Sequence, residues 1–266
     1  MNNAIQLPYS NHWDGQNYKK ISSPQYAINM KFLNQLNFAG SESVLDIGCG
    51  NGDTSREIAN MIMGGNVLGI DASKSMIKEA LMTQHKDNLS FALMNVLDME
   101  FQDEFDMVVS FFCLQWVHDK SALFRKIYQA LCSNGRFRAI IPLPHPHLPI
   151  LRDQLSVSDK WRPYFAGYND PLIYVNDCEH QSYAVQSGLI IDNLQVEVEP
   201  VYFNGYGHFK AFMYEMTPHL SQLPDADLKN DYLDELLSSY LQLYPPKNGI
   251  CQLSFTLLKM SAHRAP

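Results

Sequence analysis

Val44-Leu45-Asp46-Ile47-Gly48-Cys49-Gly50-Asn51-Gly52 is the stretch whose reading decides the fold. Its apolar start has the pattern of a buried strand, and that strand runs directly into a turn with glycine at 48, 50 and 52. Without a Cβ at those positions, backbone amides lie bare and the chain can pass close to a ligand. A second strand pattern, Val67 to Ile70, ends in Asp71, where a carboxylate can grip two vicinal hydroxyls of a ribose. Turn and acid together predict a nucleoside-containing cofactor on a doubly wound α/β sheet.

Spacing narrows the cofactor. A dinucleotide fingerprint, G-x-G-x-x-G, would put its third glycine at position 53, which is Asp53 here. Acids at 46 and 53 so close to the turn would repel a pyrophosphate but suit a cofactor that carries a cation. The D-x-G-x-G-x-G pattern resembles motif I of the class I S-adenosylmethionine (SAM) methyltransferases. One position departs from that family, which usually has proline where Asn51 stands.

Outward from this turn, helical and strand patterns alternate. Helices are expected at Gln25 to Leu36, Asp53 to Met63, Ser73 to Thr83 and Lys120 to Leu131. Strands are expected at Ser43 to Ile47, Val67 to Ile70, Leu89 to Leu93, Phe105 to Phe111 and Arg136 to Ile141. Such alternation with short loops predicts a parallel sheet flanked by helices. Pro142, Pro144, Pro146 and Pro149 then break any helix or strand, so 142–175 reads as a loop above the carboxyl end of the fifth strand. With Trp161, Tyr164, Phe165 and Tyr168 it is placed as a lid or pocket wall, or as a surface loop with incidental aromatics. Later elements are a helix at Asp177 to Gln186, a strand at Leu194 to Phe203, helices at His208 to Glu215 and Ala226 to Leu243, and a last strand at Ile250 to Ser261. The expected architecture is a Rossmann-like, seven-stranded, mostly parallel sheet with an antiparallel last strand and a helical lid. Residues 1–266 form one domain in this reading: cap helices over 1–40, the cofactor core over 41–142, the lid over 143–190 and C-terminal strands and helices over 191–266.

Composition excludes several classes. With 28 acidic and 20 basic residues the net charge is −8, which argues against a nucleic-acid binder. The five cysteines, at 49, 113, 132, 178 and 251, show no C-x-x-C spacing and read as reduced thiols of a cytoplasmic protein, with no metal site. The N-terminus has no signal-peptide pattern, and no apolar run is long enough to span a membrane. A monomer or weak dimer acting on a small molecule is expected.

Candidate cofactor contacts follow from position. Asp46, beside the turn, is placed to bind the methionine end of SAM through its amino group, with Gly48, Cys49 and Gly50 giving backbone approach. Asp71 takes the ribose, and Ala72 and Met76 lie against the adenine, where a thioether suits a π face; plain helix packing is the other reading of Met76. Asn95 stands where the family carries an acid for the adenine amino group, with the Val96 backbone as a second contact and Asp98 as a substitute. Ser110 and Phe111, ending the fourth strand, fall beside the methionine portion.

The segment Cys113-Leu114-Gln115-Trp116-Val117-His118 follows. Leu-Gln-Trp before a short polar turn resembles the trans-aconitate methyltransferases, and Leu-x-Trp also occurs in juvenile-hormone-acid methyltransferases. Trp13, Tyr18, Ser22 and Gln25 match the W-x-x-x-x-Y-x-x-x-S-x-x-Q pattern of those families, in which this segment folds over SAM and substrate. Ser158-Asp159-Lys160-Trp161 is similar to the juvenile-hormone-acid enzymes, and Tyr244-Pro245-Pro246-Lys247-Asn248-Gly249 with Phe255 is similar to the trans-aconitate tail. The resemblance implies Tyr18 at the cofactor and Trp13, Tyr18, Gln25, Trp116 and Trp161 at the substrate, with Trp116, Gln115 and His118 as positioning candidates.

It also implies methylation of a carboxylate on a small organic acid, with S-adenosylhomocysteine (SAH) as the other product. A carboxylate is ionised at pH 7, so this transfer needs alignment and water exclusion and no general base. Two other readings stay open: a base-assisted O- or N-methyltransferase, or one acting on an acyl carrier, and a SAM-binding protein without turnover. Arg152 and Arg162 are the lid's candidates for holding a carboxylate.

Overall fold

The computed structural model describes residues 23–83 and 86–266. Asp46 to Ile47 lie at the centre of a seven-stranded sheet whose order is β3-β2-β1-β4-β5-β7-β6. Its strands are β1 (Ser43–Ile47), β2 (Asn66–Asp71), β3 (Leu89–Leu93), β4 (Phe105–Phe111), β5 (Leu131–Pro142), β6 (Leu189–Asn204) and β7 (Ile250–Arg264). The first five pair in parallel, and β7 runs antiparallel between β5 and β6. β1 and β4 are covered on both faces, which is why they are mostly apolar, with Asp46 and Ser110 as buried polar exceptions. At the edge, β6 alternates half-buried and exposed positions instead.

Helices α1 (Ser23–Leu33) and α2 (Asp53–Met61) pack on one face with the late helices α8 (Tyr206–Met216) and α9 (Ala226–Leu243). The other face takes α4 (Lys120–Ala130) and α7 (Asp177–Gln186), while α3 (Lys74–Met82) leans on β2 and β3. Caps fix several starts. Asp119 accepts from the Ala122 amide at 2.8 Å, and Asn176 and Glu179 form a reciprocal capping box.

The segment after β5 differs from its sequence reading. It forms α5 (Leu148–Ser156) and the short α6 (Arg162–Phe165), each with proline in its first turn. A first-turn amide has no intrahelical partner, so Pro149 and Pro163 remove nothing there and preset the backbone. Strands also run longer than expected, β6 from Leu189 and β7 to Arg264, along their mutual antiparallel pairing. No helix among the described residues is long and apolar enough to cross a membrane.

Candidate functional site

The turn after β1 is built by hydrogen bonds that leave its outer face open. Gly48 and Cys49 amides donate to the Ile70 carbonyl at 2.8 and 3.0 Å, binding the turn to the end of β2. Asp71 accepts from the Gly50 amide through Oδ2 at 3.0 Å and from the Ser73 amide through Oδ1 at 2.7 Å. One carboxylate thus ties the glycine turn to the start of α3, and each of its oxygens keeps a further lone pair. Gly48 has φ +75°, and a Cβ there would lie 2.2 Å from Cys113 Sγ. Gly50 has φ +55° and a Cβ there would meet nothing within 4 Å, so its backbone faces open space.

That space is a cavity of about 490 Å³ above the carboxyl ends of β1, β2 and β4. Of the residues expected at a cofactor, Gly48, Gly50, Asp71, Ala72, Met76, Asn95, Val96 and Phe111 line it, and Gln25, Gln115, Trp116 and His118 line it too. Asp46 and Cys49 line an adjoining cleft of about 50 Å³ that shares Gln25, Gly48, Gly50 and Phe111 with the main cavity.

Four expectations change. Ser110 is fully buried and its hydroxyl donates to the Ile47 carbonyl at 2.9 Å, so its side chain joins β4 to β1 and does not line the main cavity or the adjoining cleft. Trp161, expected at the substrate, is fully buried: its indole N–H donates to Glu235 at 2.8 Å and its ring meets Tyr232 edge-on. An aromatic in a lid-like segment serves core and pocket equally in sequence, and here the core takes it. Asn95 spends its amide oxygen on the Leu97 amide at 2.9 Å, capping a 3-10 turn at Val96–Asp98. Asp98 is exposed and does not line the main cavity. Trp13 and Tyr18 lie outside the described residues.

The sequence reading missed Ser73, Met94, Leu97, Phe112, Cys113, Val117 and Met216 in the main cavity. Met94 and Leu97 flank Asn95 and were open to the same argument; Met216 arrives from α8 with no spacing signal. Behind Trp116 lies a second chamber of about 80 Å³, which adjoins the first along Phe112, Gln115, Trp116 and Met216. The wall between them is a 3-10 turn, Leu114–Trp116, held by the buried Lys120 ammonium, which donates to the Leu114 and Val117 carbonyls at 2.7 and 2.6 Å. Gln115 is buried, its Nε2 donating to the Phe112 carbonyl at 2.8 Å, and its Oε1 has no hydrogen-bond partner.

Charge is concentrated at the turn. Burial raises Asp46 to about 7, although the Ser55 hydroxyl donates to it at 2.6 Å, and Asp71 adds to the rise. Burial also raises Asp71, opposed by the two amides it accepts from. Two desolvated carboxylates near one turn suit a positively charged ligand, and with the bare Gly50 face they fit the cationic SAM better than a pyrophosphate. Burial pushes the Cys113 thiol up to about 12, so no thiolate nucleophile is offered there.

The comparisons agree with this geometry. A family described as "Methyltransferase domain" matches residues 44–135. "Putative methyltransferase 235L" of Invertebrate iridescent virus 6 is 32% identical over 247 residues, 93% of this chain and 91% of that protein. This chain belongs to the SAM-dependent methyltransferases. It is also similar to juvenile hormone acid O-methyltransferase of Drosophila melanogaster, at 24% identity over 91% of this chain and 84% of that one. Trans-aconitate 2-methyltransferase of Acidovorax sp. is 23% identical over 96% and 99%. Among solved structures, phosphoethanolamine N-methyltransferase 2 of Haemonchus contortus, in complex with SAM, aligns with a TM-score of 0.62 at 21% identity, covering 95% of this methyltransferase and 57% of that chain. SAM is the cofactor, and it supplies a methyl group made electrophilic by the sulfonium.

A pH dependence follows from Asp46. Its pKa is raised on folding, so between the usual carboxylate range and about 7 the folded state binds the extra proton, and the stability of the empty protein falls as pH rises through that window. A cationic ligand demands the ionised form. SAM affinity is therefore expected to drop about tenfold per pH unit below about 7, with proton release on binding. Calorimetry from pH 5.5 to 8 in buffers of different ionisation heat measures both; an affinity flat with pH, or a slope that survives Asp46→Asn, removes Asp46 from the role.

Proposed function

We propose that the methyltransferase transfers the SAM methyl group to a carboxylate of a small organic acid. The observation that carries this reading is the separation of charge across the site. Asp46, which is buried, and Asp71, which is half-buried, stand at the cofactor end, while among the described residues no Asp or Glu lines the inner chamber and the cation there is Arg152. An anionic acceptor is drawn to that end and an ammonium is repelled from it.

The chain's own groups do three things in this reading. Asp71, the Gly50 backbone and Met76 hold the ribose and adenine portions, and Asp46 holds the amino group. Phe111, Phe112, Val117 and Met216 exclude water from the vestibule where acceptor and donor meet, which strips the carboxylate of hydration. Trp116 and Gln115 fix the acceptor's approach so that an oxygen lone pair lies in line with the bond that breaks. A carboxylate oxygen forms the new bond to carbon, the old carbon–sulfur pair stays on sulfur, and no proton moves.

A second reading rests on the unpartnered Gln115 Oε1. An acceptor oxygen suits a hydroxyl or amine on the substrate, and His118 lines the same cavity and could take the proton. Isotope-labelled SAM with a panel of small carboxylic acids, alcohols and amines separates the two. Base-labile labelled product from acids is the expected result. Label only in base-stable products would overturn the carboxyl reading.

A further inference from the structure

Arg152 is a buried cation with work left undone. It sits in the middle of α5, is 7% exposed and lines the inner chamber. Its nearest carboxylate is Asp170, with Nη1 to Oδ2 at 3.6 Å, beyond hydrogen-bond reach, and Asp170 gives its other oxygen to the Leu172 amide at 3.0 Å. The Arg152 Nε is buried with no hydrogen-bond partner among the described residues. A guanidinium out of water with an unfilled N–H and one distant counter-charge is an expensive arrangement. It becomes favourable when an anion arrives.

The surroundings suit such an anion. Besides Arg152 the chamber is lined by apolar side chains and by neutral polar groups, among them Tyr174, Thr217, Ser254 and Thr256. His145, also in the wall, is held near 4 by burial, by His147 and by Arg152 itself, so it is neutral at pH 7. Among the described residues, Arg152 is then the one ionised group in that lining. At about 80 Å³ the space holds two or three waters, or one carboxylate-sized group. It adjoins the methyl-transfer cavity along Phe112, Gln115, Trp116 and Met216, so a short acid can reach from one chamber to the other.

We propose that the acceptor carries a second anionic group, which is not methylated, and that Arg152 binds it in the chamber behind Trp116, making Arg152 the residue that selects diacids over monoacids. This deepens the carboxyl-transfer reading and rests on it. Arg152 sets the register: with the distal anion on the guanidinium, the near carboxylate is delivered at the Gln115–Trp116 wall. It also keeps the guanidinium away from the reacting carboxylate, whose nucleophilicity a direct ion pair would reduce.

The test uses the full chain with labelled SAM and two matched series, succinate, glutarate and adipate against butyrate, valerate and hexanoate. Glutarate is also titrated by calorimetry into SAH-saturated protein. Arg152→Met keeps the stem packing and removes the charge; the diacid-to-monoacid ratio of kcat/KM is expected to fall roughly tenfold or more, with the glutarate heat lost. Asp170→Asn removes the competing carboxylate and is expected to lower the diacid KM. SAH affinity reports the fold of each variant; if Arg152→Met fails to bind SAH, Arg152→Lys decides, with an intermediate ratio expected. An unchanged ratio and unchanged glutarate binding in folded Arg152 variants would overturn the proposal while ester products leave the carboxyl reading intact. If no acid of either series is methylated, the carboxyl reading falls, and glutarate binding that depends on Arg152 still decides whether the anion site exists.

Discussion

Gly48→Ala is expected to weaken SAM binding by more than about a hundredfold and to lower the unfolding temperature. Two costs combine. Alanine at φ +75° occupies the left-handed region at roughly 1–2 kcal/mol. Its Cβ would also lie 2.2 Å from Cys113 Sγ and 2.4 Å from Cys113 Cβ. Rotating the cysteine side chain relieves the first clash and not the second, so the end of β4 or the turn must shift, an overpacking cost of about 1–3 kcal/mol. The shift falls on the amides that define the cofactor face. Cys113→Ala keeps the offending Cβ and should not rescue the variant. Cys113→Gly should recover part of the affinity, leaving only the dihedral cost. SAH titration and thermal unfolding of the three single and two double variants measure this, and a Gly48→Ala protein that binds SAH like the parent would sink the argument.

Asp71→Ala should reduce SAM affinity by ~1–3 kcal/mol, which is roughly five- to 150-fold. The loss has two sources that a ligand cycle separates. The first is the ribose contact assigned to the carboxylate. The second is structural, because the Gly50 and Ser73 amides lose the acceptor that joins turn to helix. Measuring SAH against its 2′-deoxy analogue in parent and variant isolates the first. The missing hydroxyl should cost affinity in the parent and almost nothing in Asp71→Ala. An equal cost in both proteins would remove Asp71 from the ribose, whatever happened to overall affinity. Asp71→Asn, which keeps one acceptor, should restore the turn better than the binding.

The cofactor half was legible in the sequence because its parts are local. Strand β1, the glycine turn and Asp71 are joined by pairings between neighbouring strands, and the residues that line the cavity sit at fixed offsets from strand ends. Asn95 lines the cavity and also caps its own turn, a bond the sequence reading did not foresee, since a side chain able to cap its own turn is indistinguishable in sequence from one that faces a ligand. Trp161 shows the same ambiguity for an apolar ring. The inner chamber was legible only in fragments. Phe255 and Thr256 reach it because β7 inserts antiparallel beside β5, and the Leu143 amide donates to the Thr256 carbonyl at 2.8 Å, closing a contact between residues more than a hundred positions apart. Met216 arrives by helix packing. Arg152 was visible as a charge in the lid, but its burial depends on α5, which the prolines concealed.

The antiparallel insertion of β7 also divides the molecule's inheritance. The residues that line the main cavity sit almost wholly between Ile47 and His118, whereas the inner chamber is assembled largely from Pro142 onward. Only the thin wall at Phe112, Gln115 and Trp116, with Met216 reaching across from the other side, belongs to both. If the inner chamber takes the acceptor as proposed, sequence drift in the later half can retune what is methylated while the donor machinery stays as it was. A lineage built on this plan can change its customers without changing its trade.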